Sequence, residues 1–129
     1  MMQTKKPNLS PTKDPGELWD ADRVMSCCLL LSKSSYHKIV VDFFEKNHRV
    51  DFLVKALENE KSSAILQECH SLKGASSMIG LIGFNDLIEL IEQSVSKQDF
   101  INKQEMIECL KNILNRSKDT FYKDNQSKE

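Results

Sequence analysis

No proline follows Pro15 in this chain of 129 residues, so everything beyond about Leu18 is free of the strongest helix breaker. Glycine is nearly as scarce, four in all, and the period-two alternation of half-buried strands is weak. A sheet protein is not expected. Apolar runs are short: the longest, CCLLL at 27–31, is far too short to cross a bilayer. The four cysteines form no CxxC pair and two of them, Cys27 and Cys28, are adjacent, a pattern that suits neither a disulfide framework nor a zinc ligand set. They read as reduced, mostly buried thiols of a cytoplasmic protein. An excess of one charge is missing too. With 18 basic and 19 acidic residues intermixed, no broad basic face advertises nucleic acid or an anionic membrane. The N-terminal lysines are followed by no apolar segment, so no signal peptide is expected. Nothing has the form of a P-loop, a glycine-rich nucleotide loop or a Ser/His/Asp set.

What is there is helical periodicity, in a length that suits one self-sufficient domain. Residues 1–16 read as a flexible polar tail, 17–122 as the folded body and 123–129 as a frayed end. Within the body, apolar positions recur every three or four residues. They predict a first helix from Leu18 to Leu31 and a long second one from Ile39 to Leu57, bent near Asn47. A third spans 62–79, capped by Ser62 or Ser63. Gly80 and Gly83 mark a turn, Asn85 or Asp86 stands near the start of a fourth helix, and a fifth covers about Lys103 to Tyr122. Short polar connections between amphipathic helices predict an all-α fold, an up-and-down four-helix bundle with an additional N-terminal helix.

The third helix carries the chemistry. At about 100° per residue, Ile65, Cys69, Leu72, Ser76 and Ile79 form one stripe, with Leu66 and Lys73 at its edge. His70 lies a quarter-turn away, on or near the surface, with Ser63, Gln67, Gly74 and Ser77 at neighbouring positions. A glycine inside a helix costs about 1 kcal/mol relative to alanine, so Gly74 needs a reason. One is clearance: any side chain at i+4 would crowd whatever approaches the imidazole. The other is close helix packing. Lys73, at i+3, can swing its ammonium toward a group on the ring, and Ser77 adds a small hydroxyl. A nucleophilic nitrogen with an open approach and a cation beside it suits phosphoryl handling. His37 and His48 have no such neighbours and read as ordinary surface or boundary residues. Cys69 and His70, pointing about 100° apart, do not readily share a metal ion, and no metal site is expected.

The run HSLKGASSMIG, His70 to Gly80, resembles the signature of the histidine-containing phosphotransfer (HPt) family: His-x-Leu-Lys-Gly-Ala/Ser, with a glycine ten residues after the histidine. Phe84, Leu87, Ile88, Ile91 and Glu92 continue the family's apolar and acidic pattern. The segment before about Ser34 matches nothing specific in it. The resemblance implies a four-helix bundle with the active histidine exposed midway along a helix. It further implies a phosphocarrier without kinase activity of its own, acting in the phosphorelay of a two-component system. By matching position, His70 would be phosphorylated, Lys73 its charge partner and Gly74 the clearance residue; Gln67 and Ser77, read as binding residues, come from their place beside His70 on the helix face, and Ser77 departs from the family's usual pattern. The implied partners are the receiver domains of hybrid histidine kinases and response regulators, which would bring the Mg²⁺; a cofactor of the chain's own is not expected, and the protein is expected as a monomer. Two readings stay beside this one: the phosphoacceptor domain of a larger, chemotaxis-type histidine kinase, and a helical adaptor without phosphotransfer.

Overall fold

The computed structural model describes residues 17–46 and 48–127, with side chains through residue 123. Among the described residues six helices follow one another: α1 Ala21–Leu31, α2 Lys33–Lys46, α3 Arg49–Glu58, α4 Ser62–Ile79, α5 Ile82–Ser96 and α6 Lys103–Ser127. The described residues contain no strand. α4 packs between α3 and α5, and α6 closes the bundle against α5 and α3. α1 packs against α2 and α4 and places Cys27 in the core. The architecture is the expected all-α bundle with an additional N-terminal helix. Its interior is made by apolar residues at helical spacing, with Leu53, Leu57, Ile65, Leu72, Phe84 and Leu110 all fully buried.

Several local features depart from the sequence reading. The long second helix is two helices, α2 and α3, separated where the bend was expected; Asn47 itself is outside the described residues, as is the polar segment 1–16. Neither Ser62 nor Ser63 caps α4. Lys61 holds the extended N-cap backbone and makes no side-chain cap bond, because Ser62 is already helical and stands one position too late. α5 begins at Ile82, ahead of Asn85. Gly80 alone makes the turn, ending α4 in the left-handed conformation at φ 86°, while Gly83 lies buried inside α5. The backbone of α6 stays helical past Tyr122, to Ser127.

Gly83 is inside a helix because another piece of backbone crosses it. A Cβ there would stand 3.2 Å from the Glu17 carbonyl oxygen and from Leu18 Cα. The Gly83 N–H donates to the Leu18 carbonyl at 3.2 Å, and the Asp20 N–H donates to the Gly80 carbonyl at 2.8 Å. Asp20 then caps α1, accepting from the N–H groups of Asp22 and Arg23. Between them, Trp19 donates its indole N–H to the Ser117 carbonyl at 3.3 Å and meets the rings of Phe44 and Phe121. Farther on, Tyr36 donates its hydroxyl to the Ile79 carbonyl at 2.6 Å. The N-terminal part is thus fastened to the end of α4 and to α6 by backbone and aromatic contacts.

Gly83→Ala is expected to lower unfolding stability by about 1–3 kcal/mol, since the crossing backbone must move to admit the methyl group. Chemical denaturation followed by Trp19 fluorescence measures this; an unchanged midpoint would show that the crossing is loose.

Candidate functional site

α4 has one dry side and one wet side. Its buried residues are Ile65, Cys69, Leu72, Ser76 and Ile79, while Ser63, Gln67, His70, Gly74 and Ser77 are all exposed. His70 therefore stands on the outer face in the middle of the helix, with Gln67, Gly74 and Ser77 as its neighbours along that face. The arrangement follows from periodicity: burying 65, 69, 72, 76 and 79 forces the residues a quarter-turn round into solvent.

Gly74 has no packing role. A Cβ placed on it would meet nothing within 4 Å, in contrast to the tight surroundings of Gly80 and Gly83. No neighbouring helix needs the missing side chain, and what its absence provides is open space one turn along from the imidazole.

Lys73 lies on the flank of the helix that faces α5. Its Nζ is 2.8 Å from Oε1 of Glu92, with the two side chains 31% and 24% exposed. The ammonium that the spacing lets swing toward the ring is engaged here in an ion pair with α5. The Glu92 hydrogen bond, outweighing the opposing effect of burial and supported by the charges of Glu92 and Glu89, pushes the Lys73 pKa above the ordinary lysine value and keeps the group charged. The backbone beneath it is held from the same side. Asn85 Nδ2 donates to the Lys73 carbonyl and to Ser76 Oγ, each at 3.0 Å. On the opposite flank, Arg49 of α3 pairs with Glu68 at 3.1 Å. The segment that carries His70 is tied on both sides.

Neither Asn85 nor Glu92 was identifiable as a partner of Lys73 from residue type alone. The available signal is spacing: Asn85, Glu89 and Glu92 fall at i, i+4 and i+7 on α5, a polar stripe beside an otherwise apolar face. Cys69, next to His70 in sequence, points into the core. Burial, with the Glu92 charge second, pushes its thiol up to about 12, so it is neither a nucleophile nor a metal-binding thiolate near neutral pH. Among the described residues, no group of three or more His, Cys, Asp or Glu side chains is placed to hold a metal ion. No helix among them is long and apolar enough to cross a membrane.

A tethered helix that exposes one histidine beside an unobstructed glycine agrees with the likeness noted in the sequence, and comparison with known proteins decides it: the Hpt domain family model matches residues 42–120. The chain belongs to the Hpt domain family. The Hpt match runs from within α2 into α6 and leaves α1 outside. No curated protein matches the chain significantly. Among solved structures, the Hpt bundle is similar to histidine-containing phosphotransfer protein B from Pseudomonas aeruginosa PAO1, with a TM-score of 0.75 at 18% identity, over 87% of this chain and 97% of that one. At that identity the likeness speaks for the fold.

Two outcomes follow from the site's geometry. Gly74→Ala should leave the fold intact and raise stability by up to about 1 kcal/mol, because helix propensity improves and nothing is displaced; a loss of stability in thermal melts would restore the packing explanation. The second concerns Cys69 and Cys109, the latter pushed up to about 11 by burial and then by Glu105 and Glu108. Both keep their protons to higher pH in the folded protein than in the unfolded chain, where a thiol titrates near 9.0. Their contribution to stability is complete below about pH 9 and is lost as pH rises through about 11 to 12. Equilibrium unfolding at a series of alkaline pH values should show that decline, and a flat profile would refute the protonated, buried assignment.

Proposed function

We propose that the protein is a phosphocarrier in which His70 accepts a phosphoryl group from the aspartyl phosphate of one receiver domain and passes it to an aspartate of another. The observation that carries this reading is the exposed His70 with open space at Gly74 on a helix tied at both flanks. The ring nitrogen is free to approach phosphorus in line, and the anchored helix keeps it oriented. In the forward step a nitrogen lone pair attacks phosphorus; the N–P bond forms, the P–O bond breaks, and the receiver carboxylate leaves with the bonding electrons. The second transfer reverses these roles. Mg²⁺ belongs to the receiver, where it offsets charge on the transferring oxygens. Lys73 supplies the cation on the carrier's side.

Gln67 and Ser77 flank the ring on the exposed face and suit polar contacts with a docked receiver. Met78, 59% exposed, gives that face an apolar edge of the kind protein partners bury. The partners in this reading are receiver domains of hybrid histidine kinases and response regulators, and the carrier acts in the cytoplasm as a monomer without kinase activity of its own.

A phosphorylated receiver domain incubated with the protein should label one residue, and the label should be acid-labile and alkali-stable, as an N–P bond is. His70→Gln should abolish it, whereas His37→Gln and His48→Gln should retain it. ATP alone should give no label. Label that survives in His70→Gln, or that ATP delivers without a partner, would overturn the assignment.

A further inference from the structure

We propose that Glu92 is a positioning residue for the transfer: it holds the Lys73 ammonium toward α5 while His70 is unmodified and yields it when a phosphoryl group occupies the ring. The inference rests on the carrier reading of His70. Lys73 stands three residues after His70, a spacing that places their Cβ atoms about 5–6 Å apart on adjacent turns. Its ammonium nevertheless contacts Glu92 on the next helix at 2.8 Å. Glu89, also on α5, adds a second negative charge acting on the same ammonium. The Lys73 backbone is fixed by Asn85, so only the four-carbon side chain has to move for the ammonium to change partner.

The two partners compete on unequal terms. A phosphoryl group on the ring carries up to about two negative charges; Glu92 carries one. The ammonium therefore transfers to the phosphoryl group, but the stabilisation gained there is reduced by what is lost at Glu92, as for any ligand whose binding-competent state is only partly populated. Glu92 thereby keeps the phosphorylated carrier from becoming a sink. The covalent step is unchanged by this device. Phosphorus moves from a receiver carboxylate oxygen to the ring nitrogen and back, the carboxylate leaving with the bonding electrons, and Lys73 exchanges only a hydrogen-bond partner without transferring a proton.

The experiment is the equilibrium distribution of phosphoryl groups between this protein and a receiver domain with Mg²⁺, after His70 has been phosphorylated with phosphoramidate. Glu92→Gln, which keeps shape and removes charge, should shift the distribution toward phosphohistidine by about 1.5- to fivefold, the scale of a partly exposed ion pair. Glu92→Asp, with a shorter carboxylate, should fall between. In a Lys73→Ala background, Glu92→Gln should have no effect, because the two residues then share no interaction. Side-chain NMR of Lys73 gives a readout independent of transfer. Its ammonium resonances should move on phosphorylation of the wild-type protein and should already be displaced in unphosphorylated Glu92→Gln. A Glu92→Gln variant that melts earlier yet leaves both the distribution and the NMR response at wild-type values would make the ion pair a plain bridge between helices and sink the proposal. If phosphoramidate leaves wild-type His70 unlabelled, the carrier reading fails first and takes this inference with it.

Discussion

The structure depends on the burial of one side of α4 between two helices. Ile65, Cys69, Leu72, Ser76 and Ile79 enter the core together, and because successive helical residues are rotated by about 100°, their burial fixes which residues must face water. A reactive side chain on that outer face needs no loop or lid to present it. It inherits the rigidity of the core directly behind it. Arg49–Glu68 from α3 and Lys73–Glu92 with Asn85 from α5 then restrain rotation of α4 about its own axis.

The same constraint explains why two interior glycines have opposite roles. Gly83 is surrounded: the 17–20 segment crosses it at backbone distance, and a methyl group would have to displace main chain. A Cβ at Gly74 would meet nothing within 4 Å, so no neighbouring element requires its lack of a side chain, which leaves open space on the outer face. Identical residues, each costly to helix formation, thus stand in opposite surroundings, one against crossing backbone and the other against open space. The crossing at Gly83 also makes the segment before the Hpt match part of the folded body. Trp19, Asp20 and Tyr36 join it to α6, to the α4–α5 turn and to the end of α4.

Lys73 joins the helix that carries His70 to its neighbour through one charge. In the resting bundle it links α4 to α5, and its ammonium is held charged by a carboxylate that is itself one-quarter exposed. Ion pairs of this kind contribute modestly to stability.

By itself the sequence determined the all-α class, the core and solvent stripes of α4, the exposure of His70 and a chain turn beginning at Gly80. Each of these follows from spacing along one chain: helical period assigns faces, and only glycine takes that turn without strain. The family signature from His70 to Gly80 was legible for the same reason, being local. Tertiary structure alone decided the partner of Lys73, the function of Asn85 as a clamp rather than a helix start, and the division of labour between Gly74 and Gly83. It also decided that Lys61 rather than a serine occupies the N-cap position of α4, because a one-residue shift in where helical backbone begins is invisible to periodicity. Those features arise where residues far apart in the chain meet across helices, and the distance between a lysine and a glutamate nineteen positions later is set by the packing of α4 on α5, which no pattern within either helix specifies.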